Sequence, residues 1–269
     1  MNAASPAQLS AALAPLTAAP TRAAVFFDLD GTLAPIVDRP ELVAVPARSR
    51  ELLERIAARY RLAGVVSGRQ AAEARRIVGL DALTYVGNHG FELLEPRAAE
   101  AAAAPALVGS ETVAADYASE TLDAAALDRL GLRVEDKAAI IALHWRGAPD
   151  EEAAAAAASE IASGAEAEGL FTHWGRKVLE LRPPVRINKG IGLASVLAAS
   201  DVRTAFYAGD DRTDVDAFRA MAELAADGRL DAVVRVAVDS EETPAEVAEH
   251  ADLAVAGPGG FRAVLEALA

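Results

Sequence analysis

Short apolar runs without alternation punctuate the chain, and stretches of helical period separate them. Ala23–Phe27, Leu62–Val66, Leu83–Val86, Thr204–Ala208, Ala232–Val238 and Leu253–Val255 have the length and continuity of strands covered on both faces. Between them, Arg48–Tyr60 carries Leu52, Leu53, Ile56, Ala57 and Tyr60 at the spacing of one helical face. Gln70–Val78, Lys189–Ala199 and Val215–Ala225 read as further helices, the last with Val215, Phe218, Met221 and Ala222 inward, and Phe261–Leu268 closes the chain. A β-loop-α-β-α-β rhythm is that of an α/β fold with a doubly wound, Rossmann-like parallel sheet.

The rhythm breaks at Glu95–Gly109, an alanine stretch bracketed by Pro96 and Pro105. Beyond it the order becomes αββαββ. A helix over Glu111–Leu130 precedes a hairpin of Leu132–Glu135 and Ala138–Trp145 turning at Asp136-Lys137. A helix over Asp150–Glu168, with an acidic first turn that suits the macrodipole, precedes a hairpin of Leu170–Trp174 and Lys177–Leu181 turning at Gly175-Arg176. Pro183-Pro184 marks the exit. The pattern predicts an N-terminal helix and linker over residues 1–22, a core domain from 23–105 and 184–269, and a smaller α+β domain inserted over 106–183.

Composition narrows the partners. The 269 residues suffice for such a core with an insert, and 52% hydrophobic with 25% charged is ordinary for a globular chain. A net charge of −14 argues against nucleic acid or an anionic membrane as partners. Any anionic substrate would then need a local cation. With no cysteine, disulfides and thiolate metal sites are excluded. No apolar run is long enough to span a bilayer. Pro6, Gln8, Ser10 and Pro15 interrupt the N-terminal segment, so it does not read as a secretory signal, and a cytoplasmic location is expected. No obligate protein partner is evident.

The chemistry sits at strand ends. The run Ala23–Phe27 stops at Asp28-Leu29-Asp30-Gly31-Thr32. In an open parallel sheet the carboxyl ends of the strands face the ligand crevice. Two acids, a turn-forming glycine and a hydroxyl there suit a hard cation and a nucleophilic carboxylate. Thr204–Ala208 ends in Gly209-Asp210-Asp211-Arg212-Thr213-Asp214, which reads either as a helix start capped by Thr213, with Asp216 three residues on, or as a metal site. Magnesium needs few protein carboxylates, and Asp28, the Asp30 region and Asp210 would supply them. Ser67 ends another strand, as a turn residue or as a donor to phosphoryl oxygens. Lys189 opens a helix, where the dipole disfavours it, as a surface lysine or as the partner of a phosphate or acidic cluster.

Together, Asp28-Leu29-Asp30-Gly31-Thr32, Ser67, Lys189 and Gly209–Asp214 resemble the haloacid dehalogenase-type phosphatases, in order and across the chain from Ala23. Gly87-Asn88-His89-Gly90, His144-Trp145-Arg146, Arg176–Pro183 with Asn188-Lys189-Gly190, and Gly209–Phe218 are similar to the trehalose-6-phosphate phosphatase family, with Val215 where that family often has Glu. The resemblance implies Mg2+, trehalose 6-phosphate as substrate, Asp28 as nucleophile and Asp30 as acid and base. It implies Ser67 and Lys189 on the phosphoryl group, and Asp28, Asp30, Asp210, Asp211 and Asp214 around the metal, the last two orienting Lys189 and metal waters. It makes the inserted domain a sugar-recognising cap. Gly68, Arg69, Asn88, His89, Arg176, Lys177 and Glu180 would complete the substrate site. Sucrose phosphate, mannosyl-phosphoglycerate and hexose phosphates are the rival substrates, a phosphomutase a rival enzyme, and a sugar-phosphate sensor the rival without catalysis.

Overall fold

The computed structural model describes residues 4–37, 39, 42–104, 107, 109–241 and 243–269. In chain order the elements are α1 (Pro6–Ala18), β1 (Ala23–Phe27), α2 (Ala47–Arg59), β2 (Leu62–Val66), α3 (Ala71–Val78), β3 (Thr84–Gly87), β4 (Glu92–Leu94) and β5 (Ala102–Ala103). Then come α4 (Val113–Thr121), α5 (Ala124–Leu130), β6 (Arg133–Asp136), β7 (Ile141–His144), α6 (Glu151–Ala167), β8 (Phe171–Gly175) and β9 (Val178–Arg182). The last stretch holds α7 (Lys189–Ala198), β10 (Thr204–Gly209), α8 (Arg212–Ala226), β11 (Ala232–Asp239), α9 (Ala245–His250), β12 (Leu253–Ala256) and α10 (Gly257–Leu268). The chain divides into two compact units, residues 1–102 with 187–269, and 103–186. The boundary expected at 105–106 lies outside the described residues.

The larger unit is built on a sheet ordered β12-β11-β10-β1-β2-β3-β4, with the two-residue β5 at its edge. All neighbours from β12 to β3 pair parallel, and β4 returns antiparallel to β3. β1 is apolar at every position because each face meets a different core. Ala23, Val25 and Phe27 join the core that takes leucines from α1, α2 and α10. Ala24 and Phe26 join the core filled from α7 and α8. Phe27 lies with its ring centroid 5.8 Å from both Phe206 and Phe261, an aromatic contact that fixes β1 against β10 and α10. The N-terminal helix packs against this unit, with Leu9, Leu13 and Leu16 buried in the first of these cores. Among the described residues no helix is long and apolar enough to cross a membrane.

The smaller unit is an antiparallel sheet ordered β6-β7-β9-β8 with helices on one face. Ile141, Leu143, Leu179 and Leu181 point into its core with Ala154, Ala158, Ala162 and Ala165 of α6. Where the sequence predicts one helix over Glu111–Leu130, the structure has two, α4 and α5. Asp123 breaks it: its side chain accepts from the Ala125 and Ala126 N–H groups and starts a new helix. β4 and α9 have no counterpart in the apolar pattern, being three and six residues long and too short to display a period.

Candidate active site

β1 has β2 on one side and β10 on the other, so the strand order reverses there. Such a switch point opens a crevice at the carboxyl ends of the strands. Asp28 and Asp210 stand in it, each one residue past its strand, and the Asp28 N–H donates to the Ala208 carbonyl at 2.8 Å. The loop after β1 then closes on Asp210. Gly31 has φ of +87°, and a Cβ there would lie 2.1 Å from Asp210 Oδ2, so only glycine lets the backbone approach. Thr32 Oγ1 donates to Asp210 Oδ1 at 3.0 Å.

Lys189, the first residue of α7, is 2% exposed. Its ammonium nitrogen donates to Asp28 Oδ1 and Asp214 Oδ1, both at 2.8 Å, and lies 3.6 Å from Asp211 Oδ1. Burial favours the neutral amine, but Asp214, Asp28 and Asp211 outweigh it and hold the lysine charged, its pKa well above the usual value. Burial pushes Asp28 well above the usual carboxylate range against the pull of Lys189, with Asp214, Asp211 and Asp210 adding to the rise. Burial, then the charge of Asp214, lifts Asp210 to about 7. Burial also raises Asp214, against Lys189. Asp211 goes the other way, to about 2: burial opposes ionisation, but Lys189 and donors from Thr213 and the Asp214 N–H prevail.

The four acids are thus not equivalent. Asp214 Oδ1 accepts from Lys189 and from the buried Tyr207 hydroxyl at 2.7 Å, and Oδ2 accepts from the Asp210 and Asp211 N–H groups. Asp211 Oδ1 accepts from the Thr213 N–H and hydroxyl and the Asp214 N–H, so Asp211, not Thr213, caps α8, with Asp214 rather than Asp216 completing the capping box. Among the described residues, the carboxyls of Asp28 and Asp210 are each engaged through Oδ1, by Lys189 and Thr32 respectively, which leaves Oδ2 of both for a further partner. One ligand oxygen from each of Asp28, Asp210 and Asp214 can be chosen within 4.8 Å of one another. A surplus of carboxylates over one lysine, and oxygen donors only, fit a hard divalent cation.

Asp30 parts from Asp28 once the strand ends. Its two oxygens accept from Arg69, Oδ2 from Nε at 2.8 Å and Oδ1 from Nη2 at 2.9 Å, and Arg69 Nη1 donates to Glu73 at 2.6 Å. Ser67, buried after β2, accepts from the Arg69 N–H through Oγ at 3.1 Å. Its carbonyl takes the His89 N–H at 3.0 Å. A Cβ on Gly68 would lie 2.6 Å from the His89 ring, so ring and backbone stack closely. Asn88 and His89 are both in the left-handed region, at φ 48° and 56°. Buried Glu92 holds that corner, accepting from Asn88 Nδ2 at 2.6 Å and from the Ala71 N–H at 2.8 Å.

In the smaller unit, the sheet face away from the helices is polar. Glu180, 7% exposed, accepts from Lys137 at 3.2 Å and from Arg182 Nε at 3.0 Å, and stands opposite His173 in register. Beside it, Glu135 meets His144 at 2.8 Å. Burial, then Arg182, lowers the pKa of His173. Arg176 and Lys177 lie at the β8–β9 turn, where Lys177 pairs with Glu151 of α6.

The family model described as Trehalose-phosphatase matches residues 26–252. The chain belongs to the trehalose-phosphatase family. A Trehalose-phosphate phosphatase of Mycobacterium marinum is 39% identical over 215 residues, covering 74% of this chain and 52% of its own length. A Mycobacterium tuberculosis protein called an uncharacterized glycosyl hydrolase is also 39% identical over 210 residues, 74% of this chain but 15% of that protein. This chain therefore spans about half, or far less, of the curated relatives it matches. Among solved structures, a trehalose-6-phosphate phosphatase related protein shares 26% identity at a TM-score of 0.67, covering 90% of this chain and 95% of that one.

Within this trehalose phosphatase fold, several residues of the site carry no signal in the sequence. Tyr207 is hidden inside an apolar strand, and Glu73 inside a helix. Glu135 and Arg182 of the polar face carry one legible signal, since Arg133 and Glu135 alternate along β6 as Glu180 and Arg182 do along β9.

Proposed function

We propose that this protein is a Mg2+-dependent phosphatase that hydrolyses trehalose 6-phosphate to trehalose and phosphate. The observation that carries this reading is Asp28 at the switch point, hydrogen-bonded to the buried Lys189 and neighbouring Asp210. Asp28 attacks phosphorus, the bond from phosphorus to the sugar oxygen breaks, and Asp30 gives that oxygen a proton. Asp30 then takes a proton from the water that hydrolyses the aspartyl-phosphate, freeing phosphate and Asp28. Lys189 and the Ser67 hydroxyl balance phosphoryl charge at short range, which answers how a chain of net charge −14 accepts an anion. Asp28 and Asp210, with the Asp30 carbonyl, would hold Mg2+, which supplies further charge neutralisation when bound. Asp214 fixes Lys189, and Asp211 fixes the start of α8.

The smaller unit acts in this reading as the sugar-recognising cap. Its support is the polar sheet face around Glu180, where carboxylate and cation pairs suit sugar hydroxyls. Asn88 and His89 are assigned to substrate from the larger unit. Arg176 and Lys177, at the hairpin turn, have weaker support. The cytoplasmic setting expected from the sequence belongs to the same proposal.

Phosphate release from a panel of sugar phosphates, with and without chelator, tests it. Preference for trehalose 6-phosphate, lost with chelator and in Asp28→Asn, is the expected result. Equal release from all small phosphates would overturn the substrate, and unchanged release by Asp28→Asn would overturn the nucleophile.

A further inference from the structure

Asp30 must present a free oxygen to the leaving group, yet in this structure both of its oxygens are taken. Arg69 grips them with two adjacent donors, the side-on fork in which a guanidinium fixes the plane of a carboxylate. The grip is itself anchored: the remaining arm of Arg69 donates to Glu73, one turn along on α3, at 2.6 Å. Arg69 also has its own N–H fixed by Ser67 Oγ. The guanidinium is therefore held through all three of its nitrogens, on side chains of 16% exposure for Arg69, 35% for Asp30 and 36% for Glu73. An ion pair held so is worth more than a mobile surface pair, because little side-chain freedom is left to lose.

We infer that Arg69 is the positioning residue of Asp30, and that Glu73 holds Arg69 in place, rather than Arg69 serving as a contact to the substrate. The inference rests on Asp30 being the proton donor to the leaving oxygen. Arg69 supplies the orientation of that carboxyl, and the reaction draws one oxygen out of the fork while the other stays pinned. A lysine cannot replace it, since a point charge fixes distance but not the plane.

The test separates the proton transfer from everything else by the choice of leaving group. The ratio kcat/KM covers the steps up to phosphoryl transfer to Asp28. A sugar alkoxide needs a proton to leave, and p-nitrophenolate does not. Arg69→Gln is expected to lose about tenfold more in kcat/KM on trehalose 6-phosphate than on p-nitrophenyl phosphate, within the range that general acid catalysis supplies. Arg69→Lys should show the same selectivity, and Glu73→Gln a smaller selective loss. Losses that match on the two substrates in Arg69→Gln and Glu73→Gln would overturn the positioning role and return Arg69 to substrate contact or plain structure. Asp30→Asn is the control for the premise. If it shows the selective loss and the Arg69 variants do not, the positioning role alone fails. If Asp30→Asn itself loses equally on both, the assignment of Asp30 as donor fails and the inference with it.

Discussion

At the residue scale, Asp214 has four hydrogen-bonding partners and no exposure, and the lysine beside the nucleophile depends on it. Asp214→Ala strands two backbone N–H groups and leaves Lys189 a partner short. A loss of about 3–5 kcal/mol of stability is expected in denaturant melts, the range for breaking a buried ion pair. Tyr207→Phe removes one donor only, so about 1 kcal/mol is expected. An equal effect of the two would overturn this ranking. Asp210 carries a pH signature in the metal-free protein. Its folded pKa of about 7 lies above that of an aspartate in the unfolded chain, so the folded state holds a proton that the unfolded chain releases. That stability is full below the unfolded pKa and is lost as pH rises through about 7. Melting temperature of chelated protein should therefore fall from about pH 5 to about pH 8, added Mg2+ should restore more at the upper end, and Asp210→Asn should flatten the slope. A chelated wild-type slope matching that of Asp210→Asn would sink the account.

At the element scale, side chains that start helices decide boundaries the apolar pattern leaves open. Asp123 divides α4 from α5, and Asp150 caps α6 through the Glu152 and Ala153 N–H groups. Asp150→Ala is expected to lower stability by about 1 kcal/mol, read from the denaturant midpoint. Asp150→Asn should lose far less, since the amide oxygen still accepts; a loss as large as that of alanine would mean charge rather than capping matters. At the start of α8 the same device serves the site. The capping box of Asp211 and Asp214 is also what holds Asp214 against Lys189, so the helix start and the lysine's environment are one arrangement.

At the scale of the whole molecule, the two units have separate cores, and they differ in content. The larger is filled by Phe, Leu, Val and Tyr on both faces of its sheet. The smaller takes its apolar core from one face of its sheet and draws four of its buried positions on α6 from alanine. Less apolar area per residue leaves less to offset chain entropy. Calorimetry is expected to resolve two transitions, the smaller unit melting first. Leu143→Ala, a loss of about 2–5 kcal/mol in that core, should shift the lower transition alone. A single transition moved as a whole would show that the units unfold together.

The alternation of unbroken apolar runs with helical stretches determined the doubly wound sheet, the inserted antiparallel module and the strand ends that carry Asp28, Ser67 and Asp210. Those features follow from local period and from the rule that a strand covered on both faces has no polar side. What it left open was decided by chain segments far apart meeting. Whether Lys189 is a solvated lysine depends on Asp28, 161 residues away, and on Asp214. What each acid can still bind depends on who else donates to it, and that is why Asp211 becomes a cap and Asp214 a lysine clamp. Asp30 and Arg69 likewise meet across 39 residues through the packing of β1 beside β2. Hydrogen-bond accounting is a property of the folded neighbourhood, and no pattern of period two or 3.6 encodes it.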